Sequence, residues 1–142
     1  MNHSRETIYA ALFALVSGAA DFVTTGRKAQ IMTQMQPSQL PALYQEQVSE
    51  ETQQVNGIPP KYTLRVDIII YALNPDATQP STPQLNALID ALEATLAPSP
   101  VTQRQTLGGV VSHCFINGKT QIFEGDLANR VAAIIPVEIV TT

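Results

Sequence analysis

His113 and Cys114 are adjacent, and a thiol beside an imidazole is the pairing from which a cysteine nucleophile and its general base are made. Strand geometry argues against that use. The run 110–116 reads as a strand, whose neighbouring side chains point to opposite faces, so the two groups do not meet. The other histidine, His3, lies near a terminus, and one Cys with two His make no zinc site. Cys114 reads as a buried structural thiol. Asp67 is the second candidate, a carboxylate set in an apolar strand with Arg65 on the same face. Burial would raise its pKa and suit it to general-base work. An ion pair within the sheet or between subunits, with Arg65, Arg130 or Lys61, is the plainer role, since no partner nucleophile stands near it in the pattern. Asp90 and Glu93 lie three apart on a helix, opposite its leucines, and form a solvated face. Gly108-Gly109 is followed by neither a helix start nor Lys-Ser/Thr, so it is a turn or strand entrance rather than a phosphate loop. The expected catalytic, cofactor and metal sets are all empty.

The elements that carry these residues follow from periodicity. Ser4 caps a helix with Glu6 in its first turn and Ile8, Leu12, Leu15 and Ala19 at helical spacing, ending near Gly18 or a turn later. Residues 22–35 are ambiguous, with a short strand possible on either side of Gly26. Pro37 and Pro41 bracket a turn before a modest strand over 42–48. Residues 49–60 are polar and acidic and end in Gly57 and Pro59-Pro60, a composition expected of a long flexible loop or hairpin tip. The clearest strand spans 61–73, with Leu64, Val66, Ile68 and Ile70 on one face and Arg65, Asp67, Ile69 and Tyr71 on the other. That second face turns apolar along its length, so a helix or a neighbouring subunit is expected to cover it. Asn74, Pro75 and Asp76 end the strand.

Thr82 and Pro83 open a second helix with an apolar stripe of Leu85, Leu88, Ile89, Leu92 and Leu96, and Pro98 and Pro100 stop it. Asn117-Gly118 then predicts a hairpin between 110–116 and 119–123. A final strand spans 130–141 after the Glu124-Gly125-Asp126 turn, and Pro136 within it implies a sheet edge, a bulge or an exit from the ladder. The expected fold is α+β. It is a mostly antiparallel sheet of about four strands with two helices on one face, in the order α-β-β-α-β-β, with a β-hairpin extension.

The 142 residues suit one domain, 1–142. Only 14% are charged, against roughly a quarter in an ordinary soluble domain, so neutral polar groups or other subunits must cover part of the surface. Eight basic and twelve acidic side chains give a net charge of −4, which opposes direct nucleic-acid binding. The most apolar stretch, 8–16, is about half a bilayer span, and Arg5-Glu6 makes a poor signal-peptide start, so neither membrane insertion nor export is expected. A lone cysteine forms no internal disulfide and fits synthesis in a cytoplasm.

The order of several short motifs resembles the tail terminator family of long-tailed bacteriophages, also called tail completion or minor tail proteins. The residues that carry the likeness are 40–44 (LPALY), 57–71 (GIPPKYTLRVDIIIY), Leu85-Asn86 with 88–93 (LIDALE), 105–114 (QTLGGVVSHC) and 133–139 (AIIPVEI). Together they cover roughly residues 4–140, and 22–35 match least. The resemblance implies a small α+β subunit without enzymatic activity. Such subunits form a homo-oligomeric, hexameric ring, assembled in the host cytoplasm, that caps the head-proximal end of the tail tube in the virion. The implied partners are other copies of the chain, the tail tube protein and a head-tail connector protein. The interface candidates are Glu50, Glu51, Arg65, Asp67, Lys119 and Arg130. In the family such loops as 49–60 project toward neighbouring subunits or the tube, so this segment is expected to be mobile in the free subunit and ordered on assembly. Two other readings compete: a small enzyme or ligand-binding domain with Asp67, Arg65 and His113 lining a cleft, and a head-side connector subunit.

Overall fold

The alternation of Leu64, Val66, Ile68 and Ile70 with Arg65, Asp67, Ile69 and Tyr71 builds the central strand of the molecule. The computed structural model describes residues 1–74, 83–124 and 129–142. Its elements are α1 (Arg5–Ser17), β1 (Thr24–Gly26), β2 (Ala42–Val55), β3 (Ile58–Leu73), α2 (Pro83–Thr95), β4 (His113–Ile116), β5 (Gln121–Phe123) and β6 (Arg130–Thr141). Two single 3-10 turns, Met32–Gln34 and Pro37–Gln39, lie between β1 and β2. Thr82 and the turn residues Pro75, Asp76, Gly125 and Asp126, which the sequence reading assigned, fall outside the described residues.

The sheet differs from the expected one. It has six described strands rather than about four, ordered β1-β2-β3-β6, with β4 and β5 both on the far side of β6. It is also mixed, because β1 runs parallel to β2 while every other pairing is antiparallel. The element order is therefore α-β-β-β-α-β-β-β. Two local causes explain the change. Thr24 and Thr25 are β-branched and stiff, and they pair with Ala42 and Leu43 once the chain has looped round through the 3-10 turns.

The second cause is Pro136. Asn117-Gly118 does not close a hairpin, since β4 pairs with residues 137–140 of β6 and β5 continues in the same direction along residues 132–134. The two are one interrupted strand. The break lies beside Pro136, which has no N–H to give, and Asn117 N–H donates to its carbonyl at 3.1 Å. Gly118 has φ +123°, and a Cβ there would stand 3.1 Å from Pro136 Cγ, so position 118 needs glycine for both backbone and space.

The true tight hairpin joins β2 and β3 at Asn56-Gly57, where Val55 pairs with Ile58 and Gly57 has φ +80°. Residues 49–55, expected as part of a flexible loop or hairpin tip, are strand. Pro59 and Pro60 are accommodated where the ladder is irregular, between the Gln53–Lys61 and Val55–Ile58 pairs.

Both helices share a core with one face of the sheet. Ile8, Leu12 and Val16 of α1 and Leu85, Leu88 and Leu92 of α2 join Leu64, Val66, Ile68 and Ile70 of β3 and alternate residues of β6. Ser4 caps α1 by accepting from Thr7 N–H, and Gly18 ends it. At its apolar end the opposite face is covered within the chain by coil rather than by a helix. Met35 and Leu40, from the coil before β2, pack there on Ala42, Tyr44 and Ile69.

Candidate functional site

Beyond Thr141, which pairs with Tyr62, β6 stops and β2 and β3 continue as an isolated two-stranded arm. Three further residues of β2 carry it about 10 Å to the turn at strand rise. Every β2 residue from Gln47 onward is exposed on both faces. The tip is apolar: Val55 and Ile58 are 58% and 60% exposed, with two prolines beside them. A two-stranded ribbon with no face to bury is marginal alone in water.

The root of the arm is fastened by a bulge. Gln47 pairs with Val66, but Ser49 pairs with Arg65, so Val48 is an extra residue and the facing of all later side chains is reversed. Without it Glu50 would face away from α1. With it, the Glu50 carboxylate accepts from Arg5 Nε at 2.7 Å and from the Tyr9 hydroxyl at 2.9 Å. The hydrogen bond from Arg5 holds Glu50 below the usual carboxylate range, while burial first, and then Glu50, push Tyr9 upward. Gln45 adds a hydrogen bond from its amide to the Tyr9 carbonyl at 2.9 Å. Glu50 is thus committed to its own chain, whereas Glu51 next to it is exposed and makes no ion pair among the described residues.

On the sheet face away from the helices, Arg65 pairs with Glu138 at 3.3 Å, and Asn117 donates to the same carboxylate at 2.8 Å. Asp67 has neither Arg65, Arg130 nor Lys61 as a partner. It stands between Glu46 on β2 and Pro136 on β6. Burial, and then the Glu46 charge, raise it above the ordinary aspartate value of 3.8. A carboxyl raised by folding binds protons more tightly in the native state, so its penalty is absent below 3.8 and grows as pH rises through the folded value. Asp67→Asn should therefore stabilise the fold at pH 7, by less than about 1 kcal/mol for this partly exposed group, and the gain should vanish near pH 3. Urea denaturation at both pH values checks the sign. A gain that grew on acidification would contradict it.

Arg130 is buried on the same side and donates to the Met35 carbonyl, which ties β6 to the covering coil. Lys119 is exposed in the gap between β4 and β5. His113 and Cys114 do face opposite ways. Cys114 lies in the helix-side core with its thiol pushed up to about 12 by burial, which leaves no reactive thiolate. His113 Nδ1 accepts from Gln105 N–H at 3.1 Å, and its ring stacks on Phe115 at 4.7 Å.

The trio Asp67, Arg65 and His113 is not assembled. Asp67 is level with residue 136 of β6 and His113 with residue 140, about 13 Å apart along the strand before the spacing between strands is added. A shallow concavity beside β4 is lined by Glu93, Leu96, Pro98, His113, Phe115 and Ile116, and neither Asp67 nor Arg65 reaches it. Among the described residues, no three His, Cys, Asp or Glu side chains are grouped to hold a metal ion.

No family model matches the chain, and no curated protein sequence matches it. No helix among the described residues is long and apolar enough to cross a membrane.

Two features of this surface escaped the sequence reading. One is the Asn56-Gly57 turn, whose dipeptide was legible but was absorbed into a polar segment. The other is the anchoring role of Glu50, which depends on a bulge at Val48 that carries no sequence signature.

Proposed function

We propose that the chain is a structural subunit of a phage virion, forming a homo-oligomeric ring that caps the head-proximal end of the tail tube. In this reading the ring ends tube growth and offers the surface to which the head joins. The observation that carries it is the arm. A ribbon exposed on both faces, with an apolar tip and a fastened root, gains its stabilising contacts outside its own subunit. A ring needs two different complementary surfaces on each subunit, and the arm differs from everything at the β5 side of the sheet. The low charge fraction and the likeness to tail terminators support the same reading.

Termination of the tube then follows from asymmetry. One ring face matches the tube end, and the other presents no further tube-binding surface. In a phage encoding this chain, loss of the chain should leave tails without heads and tubes of irregular length, counted by negative-stain electron microscopy. Normal infectious particles in its absence would overturn the reading. Labelled antibody on isolated tails separates it from a head-side connector, which such tails would lack.

A further inference from the structure

Among the described residues, the sheet ends in two unpaired edges of different character. On one side, β1 covers only residues 42–44 of β2, so β2 is open along its outer half. On the other side, the N–H of Cys114 is already taken by the Gln105 carbonyl at 2.8 Å, which closes the β4 half of that edge. Among the described residues the β5 half is open. No described strand pairs with its far side, and Ile122 and Phe123 are 45% and 42% exposed. Open strand edges bearing apolar side chains invite another strand, and proteins that stay monomeric blunt them with lysines, prolines or covering loops.

We propose that copies of this chain join head to tail by strand addition, the open edge of the β2 arm in one copy pairing with the β5 edge of the next. The proposal deepens the ring reading and rests on it. Three observations select a second copy as the occupant. The first is direction: β2, β3, β6 and β5 alternate, so β2 and β5 run opposite ways. Because β5 is level with residues 42–44, which β1 covers, the next copy is offset along the strands toward the arm, where β5 pairs antiparallel with the open part of β2. The second is charge. On the open β2 strand itself the charged residues are Glu46, Glu50 and Glu51, of which Glu50 is paired with Arg5, whereas Lys119 is the charged residue leading into β5. Glu51 and Lys119 are both exposed and make no ion pair among the described residues. The third is that neither edge can pair with a copy of itself without leaving the other open, while head-to-tail pairing uses both and closes when the rotation allows.

Two double variants test this. Thr52→Lys with Gln54→Lys places lysines on the arm and leaves β5 intact. Lys119→Glu with Ile122→Lys alters the β5 edge and leaves the arm intact. In sedimentation velocity, the parent chain should run as a closed ring and each variant alone as a monomer. An equal mixture of the two should run as a dimer and nothing larger, because one competent interface remains. A ring from either variant alone, or a mixture that stays monomeric, overturns the strand pairing while leaving the ring reading in place. A parent chain that is monomeric at all concentrations overturns the ring reading and the pairing with it. Circular dichroism confirms folding. If a double variant unfolds, the single exposed change Lys119→Glu replaces it, and must weaken assembly at least tenfold and be rescued by Glu51→Lys. Absence of that rescue overturns the pairing.

Discussion

Leu92→Ala is expected to destabilise the fold by roughly 2–5 kcal/mol, while Asp90→Ala on the same helix changes stability by no more than about 0.5 kcal/mol. Leu92 is fully buried in the core shared by both helices and the sheet, and Asp90 is exposed two residues away. Truncating Leu92 removes its transfer free energy and leaves a cavity. The close-packed strands that share this core, with Leu64, Ile68 and Ile135 among their residues, relax only partly around such a cavity. Since a whole domain is stable by only about 5–15 kcal/mol, the loss would be plain as a lower midpoint in chemical denaturation. Equal and small losses for the two variants would show that α2 buries a different face.

α2 was legible because its stripe is long and regular and prolines bound it. β3 was legible for the same kind of reason, with five positions from Leu64 to Ile68 alternating in both character and burial. The outer half of β2 was not. Its residues from Gln47 to Val55 alternate nothing, because neither side of the arm is buried, and a strand without a buried face has no period-two signal. β1 was obscure because three residues are too few to show a period, and because a parallel pairing depends on the route of the connecting coil. The Asn117-Gly118 signal misled through its context. The dipeptide permits left-handed backbone, but whether the chain reverses there depends on the strand beside it, and β6 supplies Pro136 at that level. Asp67 is a further case. Its place in an apolar strand was visible, but its cross-strand neighbour depends on the register, which put Glu46 opposite it and gave Arg65 to Glu138.

Shortening the arm is expected to separate folding from assembly. Removing residues 54–55 and 58–60, which leaves Asn56-Gly57 as a two-residue turn between the paired Gln53 and Lys61, deletes side chains that contribute nothing to either hydrophobic core. The anchor of Glu50 to Arg5 and Tyr9 stays in place, as does the pairing of β3 with β6 from Tyr62 onward. The shortened subunit should therefore keep the circular dichroism of the parent and lose no more than about 1 kcal/mol, the range of changes away from the core. Its assembly should fail. The deletion removes the apolar tip and the end of the open β2 edge, so the shortened subunit offers a neighbour a truncated form of one of the two surfaces a ring requires. In a phage producing only this variant, negative-stain images should show headless tails with tubes of abnormal length, and infectivity should fall to background. A folded, shortened subunit that completed infectious particles at the parental rate would reduce the arm to a passive connection. The reason to expect otherwise lies in its root. A ribbon meant only to link β2 to β3 could turn immediately after Thr52, the partner of Tyr62, yet this one continues beyond β6 and is fastened to α1 by an aligned carboxylate, guanidinium and phenol. Fixing the root of an exposed ribbon limits the directions its tip can take. That lowers the conformational entropy lost when the tip docks, which would favour a contact repeated in the same geometry at every subunit of the proposed ring.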